Sequence, residues 1–188
     1  MRPFVIISSL FALLSIPALS AQGTPAERRP KNEDASVLLA REVHHQIHVL
    51  PYYSVFDYIA YTLQGTKVTL TGQVLRPTLR AQAEAAMKDI EGITAVVDQI
   101  QVLPASPSDD ALRDRVYGAI YEDPILQRYA VHEVPPIHII IKNAKVTLEG
   151  SVDSLSDKSM AAALARSVPD VASVTNDLAV HRPGTVTD

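Results

Sequence analysis

Lys67-Val68-Thr69-Leu70-Thr71-Gly72 returns as Lys145-Val146-Thr147-Leu148-Glu149-Gly150, with five of six residues identical at an offset of 78. Each stretch alternates apolar and polar residues and stops at a glycine, which is the pattern of a half-buried strand. The same offset pairs Ala83 with Ala161, Ile90 with Val168, Val96 with Val174, Ile100 with Leu178 and Val102 with Val180. A period of that size is too long for a solenoid unit and suits a small domain, so the chain reads as two copies of one compact module.

Working outward, each strand has a partner before it. Ile59, Tyr61 and Leu63 alternate with polar or small residues and turn through Gln64-Gly65-Thr66. In the second copy Ile137, Ile139 and Ile141 turn through Lys142-Asn143-Ala144. Gly and Asn at the turn tolerate positive φ, so both read as hairpins. Gly72 and Gly150 are expected to end the second strand of each hairpin.

A helix precedes each hairpin. Leu39, Val43, Ile47 and Leu50 recur at helical spacing before Pro51, and Leu112, Val116 and Ile120 do so before Pro124. Asn32 or Asp34 would cap the first of these helices, and Asp109 or Asp110 the second. These helices match at an offset of 73, so the second copy carries five extra residues between its first helix and first strand. Tyr129 to Pro136 is the expected place for them.

A second helix follows each hairpin, with stripes Leu79-Ala83-Ala86-Met87-Ile90 and Met160-Ala161-Leu164-Ala165-Val168. Gly92 is placed to stop the first; Asp170 stands there in the second copy, at some strain if the turn is the same. A single last strand closes each copy. The expected fold is α+β: two tandem α-β-β-α-β modules, each a three-stranded sheet with both helices on one face. The modules span 35–103 and 109–182, joined by a linker at 104–108 and followed by a tail at 183–188. A module of about 70 residues is marginal alone, so the two are expected to pack together.

The ends suggest export. Met1-Arg2-Pro3, an apolar run from Phe4 to Ile16, then Pro17 and small residues to Ala21 form the layout of a cleaved signal peptide, residues 1–21. Residues 22–34 read as a polar, flexible leader. The chain has no cysteine, which excludes disulfides and anchoring through a lipidated cysteine. Taking Arg2 from the 17 basic residues leaves 16 against 21 acidic ones, a net charge of −5. That balance argues against general nucleic-acid binding. No apolar run is long enough to cross a bilayer.

The order of elements, with Val-Thr-Leu-x-Gly-x-Val at Val68–Val74 and Val146–Val152, resembles the BON domain of bacterial envelope proteins. The family's ending, a Gly-Val pair, a Val and an Asn, is matched in part by Gly92-Ile93, Val96 and Asp98, and by Asp170-Val171, Val174 and Asn176. The resemblance covers about residues 35–181. It implies a soluble periplasmic, non-enzymatic protein of envelope stress that binds anionic phospholipid surfaces. The alternative it implies is a protein-interaction or holdase adaptor for envelope proteins. No cofactor is implied.

Few residues invite chemistry. His44 and His48, four apart on the first helix, have the spacing of a metal pair but lack a third ligand nearby and the Glu of an H-E-x-x-H site; Tyr117 and Tyr121 replace them in the second copy. Asp98 and Asn176 coincide, and a buried turn contact explains them better than catalysis. The cations Arg80 and Lys88 match Lys158 and Arg166, where long side chains could reach anionic head groups or serve as plain solvated flank charge. Tyr61 suits the core, while Tyr52 and Tyr53 fit either core or interface. There is no Gly-rich phosphate loop, no G-x-S-x-G elbow and no cysteine nucleophile.

Overall fold

A computed structural model describes residues 31–181, with side chains from residue 35 onward. The expected signal peptide, most of the leader and the tail lie outside the described residues. The first module runs α1 (Lys31–His48), β1 (Tyr58–Gln64), β2 (Lys67–Val74), α2 (Pro77–Lys88), β3 (Ala95–Asp98) and β4 (Gln101–Val102). The second runs α3 (Pro107–Tyr121), a 3-10 helix (Leu126–Val131), β5 (Ile137–Lys142), β6 (Lys145–Val152), α4 (Leu155–Ser167), β7 (Ser173–Asn176) and β8 (Ala179–Val180).

In each sheet the strand opened by the repeated Lys-Val-Thr-Leu motif is central. β2 pairs antiparallel with β1 and parallel with β3 and β4; β6 does the same with β5, β7 and β8. The expected single last strand is therefore two short pieces. In the first module the break has a local cause: the Asp98 carboxylate turns back to accept from the Ile100 amide at 2.8 Å, while the Gln99 amide donates to the Leu70 carbonyl. At the matching place Asn176 donates to the Lys158 carbonyl at 2.8 Å, tying the break to α4.

Gly72 and Gly150 do not end their strands, which continue to Val74 and Val152. They sit at φ +116° and +101°, opposite Ile59 and Ile137. A Cβ on either would lie 2.1 Å from the Tyr58 carbonyl oxygen or 2.0 Å from that of Pro136. The motif's glycine is thus required by the close approach of a neighbouring backbone.

Helix α3 starts at Pro107, two residues inside the expected linker, and its N-cap is Ser106 rather than Asp109 or Asp110. Proline tolerates the first helical position, which leaves the preceding serine to accept from the Asp109 amide at 3.3 Å. Asn32 and Asp34 likewise lie inside the first turns of α1, not ahead of it. Asp109 is instead turned inward, 3% exposed, and its carboxylate accepts from the amides of Asn143 and Ala144, each at 2.9 Å. Both turn residues have positive φ, +54° and +59°, as a type I′ hairpin requires. The carboxylate therefore holds an alanine in a conformation that normally selects glycine. Asp109→Ala is expected to cost about 2 kcal/mol in urea unfolding, part of it recovered by adding Ala144→Gly.

Each module has its own core: Val43, Ile47, Leu70, Leu79 and Met87 anchor the first, and Val116, Ile120, Ile139, Leu148 and Ala161 the second. The modules pack through the segment that follows α1. Val55 belongs to the second core, Phe56 packs beside it against Tyr117, and the Val55 carbonyl accepts from the Ile139 amide at 2.8 Å. That bond covers part of an open sheet edge. Tyr121 Oη covers more, accepting from the Ile137 amide and donating to its carbonyl, and Arg113 donates to the Ile141 carbonyl. An edge strand so capped presents little template for further pairing.

Candidate functional site

The four cations singled out by the repeat do not share one environment. In α2, Arg80 Nε donates to Asp98 at 2.7 Å and Lys88 pairs with Glu84 at 2.7 Å, so each charge is offset locally. In α4, Lys158 is half-buried and Arg166 exposed, and neither side chain makes an ion pair among the described residues. The acid of α4, Asp157, is buried. Leu155 in its first turn is 68% exposed. The exposed charge of α4 is therefore purely basic, with an apolar side chain beside it.

His44 and His48 lie on an exposed flank of α1, their ring centroids 4.2 Å apart, with His48 Nδ1 2.9 Å from the His44 carbonyl oxygen. Burial, then the neighbouring imidazoles of His48 and His45, lowers the His44 pKa. Among the described residues no three His, Cys, Asp or Glu side chains converge as a metal site would need. The two histidines instead line a cleft of about 370 Å³ between the modules, together with Tyr53, Tyr58 and His138. His138 is the residue the sequence reading missed. It is 5% exposed, its ring lies 5.6 Å from Tyr53 and 5.4 Å from Tyr58, and its Nδ1 has no hydrogen-bond partner among the described residues. Burial carries its pKa down to about 4. A signal was present: Ile139, Ile140 and Ile141 are apolar on both parities, so the strand had to be covered on both faces.

Tyr53 is buried and its hydroxyl accepts from the Ile59 amide, whereas Tyr52 is exposed at φ +66° with the Arg76 guanidinium 5.2 Å from its ring centroid. Tyr61 packs against the first core as expected and donates to the Ala40 carbonyl. Gly92 has φ +98°, and Asp170 adopts the same hand at +72°, steadied by Arg115 at 3.0 Å.

Comparison with known families places this arrangement. The BON domain pattern matches residues 37–104 and again residues 108–182. The chain belongs to the BON-domain family. It is 30% identical over 120 residues to osmotically-inducible protein Y of Escherichia coli (strain K12), covering 59% of this chain. The match spans 56% of that relative, about half its length. Two structures of CdsD, a structural protein of the type III secretion system of Chlamydia trachomatis, align at a TM-score of 0.28. The first, its C-terminal domain, is 12% identical and covers 76% of this chain and 97% of that one; the second is 10% identical over 78% and 93%.

The two BON modules differ most at the insertion, which the structure forms as the 3-10 helix and the segment after it. Tyr129 Oη donates to Asp157 at 2.9 Å and accepts from the Asp153 amide at 2.9 Å, while Arg128 reaches Asp157 at 2.5 Å. Burial pushes the Asp157 carboxyl up, but bonds from Ser154, Tyr129 and Arg128 outweigh it and hold the group below the ordinary carboxylate range. In the first BON module Asp57 takes the part of Tyr129 Oη, accepting from the Leu75 amide, which matches that of Asp153, at 2.8 Å and also from Ser54. Both networks tie the start of the module's second helix to the loop before its hairpin, and both read as scaffold.

Proposed function

We propose that this tandem BON protein is a non-enzymatic periplasmic adaptor of the cell envelope that binds anionic phospholipid surfaces. The observation that carries the reading is α4, whose half-buried Lys158, one turn from exposed Leu155, and exposed Arg166 make no ion pair among the described residues. Each cation near an anionic surface contributes on the order of 1 kcal/mol. Burying Leu155 adds about 2 kcal/mol at most. The sum describes weak, reversible association, opposed by the chain's formal net charge of −4. Arg80 and Lys88 play a smaller part, because Asp98 and Glu84 already neutralise them. The likeness to an osmotically inducible protein supports an envelope role. No helix among the described residues is long and apolar enough to cross a membrane, which suits contact with one surface.

The test is co-sedimentation with vesicles of graded phosphatidylglycerol content. Binding is expected to rise with the anionic fraction and to fall steeply as salt shortens the screening length. Binding indifferent to both would end the proposal.

A further inference from the structure

A groove of about 650 Å³ lies between α1, the β1–β2 turn and the turn at Gly92. Leu38 and Leu39 floor it, Leu38 being 61% exposed, with Val37 beside it at 56%. Its charged lining residues are Glu42 and Glu91, and the acidic rim continues to Asp89. No lysine or arginine lines it among the described residues.

The second module has the same groove, narrowed from within. Its lining, including Asp109, Leu112, Arg115, Asn143 and Asp170, stands at the matching positions and encloses about 330 Å³. There Asp109 takes the two turn amides and Arg115 crosses to Asp170. In the first module Ser36 stands at the Asp109 position. Glu42 replaces Arg115 and Gly92 replaces Asp170, so the crossing ion pair has neither member. One fold position is thus bridged and narrowed in one copy, and wider, apolar and acid-rimmed in the other.

We propose that this first-module groove docks a cationic amphipathic segment of a partner protein, its apolar side chains on Leu38 and Leu39 and its basic ones facing Glu42, Asp89 and Glu91. Charge complementarity selects that occupant: an acid-rimmed apolar floor repels anionic lipid and favours a basic, apolar peptide. The site is separate from α4 and does not depend on lipid binding.

A short fluorescent Leu/Lys amphipathic peptide and its Leu/Glu counterpart, titrated against the full chain by anisotropy, test it. The Leu/Lys peptide should bind and the Leu/Glu peptide should not. Glu42→Lys with Glu91→Lys, and separately Leu38→Ser, should each weaken binding by about tenfold. These residues are exposed, so the thermal midpoint should hold. Lys158→Glu with Arg166→Glu should leave peptide binding unchanged. Equal binding of both peptides, or retention by the Glu42/Glu91 variant, overturns the proposal. Leu38→Ser lowering vesicle binding instead of peptide binding also overturns it, by making the face a lipid contact.

Discussion

Gly150→Ala and Gly72→Ala are each expected to destabilise their module by on the order of 4 kcal/mol, enough to unfold it at ambient temperature. Two costs add. Alanine at φ +101° or +116° is strained by itself, and its Cβ would sit 2.0 or 2.1 Å from a carbonyl oxygen of the neighbouring backbone. Neither oxygen can swing aside cheaply. Pro136 precedes the edge strand that closes the module interface, and its carbonyl also accepts from the Ser151 amide at 3.1 Å. Gly65 supplies the control: its φ is +60°, but nothing lies within 4 Å of an added Cβ. Gly65→Ala should therefore cost only about 1 kcal/mol. Urea unfolding of the three variants separates the two costs, and similar losses at all three would mean that the close approach is not what the motif protects.

Mild acid should loosen the chain through His138. Its folded pKa, about 4, lies below the ordinary value of 6.5, because burial at the module interface disfavours the imidazolium and His48 adds repulsion; nearby backbone of Asp57 and Ser54 offsets part of this. The unfolded chain then binds the proton more readily than the folded one. Stability is fully present above pH 6.5 and declines as pH falls toward 4, by about 2 kcal/mol at pH 5 and about 3 kcal/mol in all. Glu149 works the other way, since burial, with Asp177 nearby, raises its folded pKa, and Asp157, whose folded pKa is lowered, acts only below the ordinary carboxylate range. The difference between wild type and His138→Phe isolates the imidazole, because phenylalanine keeps a ring between Tyr53 and Tyr58. The variant should lose clearly less stability between pH 7.5 and 5. Parallel curves would mean that the imidazole is not the group that titrates.

The scaffold was legible because packing writes periodicities that survive duplication. The Lys-Val-Thr-Leu strands, the Gly65 and Asn143 turns and the helical stripes all stand where two copies agree. Legibility failed where one polar group chooses among several partners. Asp109 reads as a helix cap by local rules, yet a serine behind Pro107 takes that post and frees the carboxylate for a turn more than thirty residues away. The sequence reading likewise placed Gly72 and Gly150 as strand ends, because the need for glycine is visible while the oxygen that imposes it is not. The cations Arg80, Lys88, Lys158 and Arg166 appear equivalent in the repeat. Their difference lies in their partners: Asp98 and Glu84 pair with Arg80 and Lys88, whereas Asn176 and Ala162 stand at the matching positions, a contrast already present in the sequence. His138 was hidden in an isoleucine run whose second face is covered by the other module.

Anionic lipid is expected to meet α4 rather than α2. Charge reversal decides it: Lys158→Glu with Arg166→Glu against Arg80→Glu with Lys88→Glu, measured by co-sedimentation with phosphatidylglycerol vesicles at low salt. The α4 pair should lose roughly tenfold or more of its binding and the α2 pair clearly less. Equal losses, or full retention by the α4 variant, would contradict it.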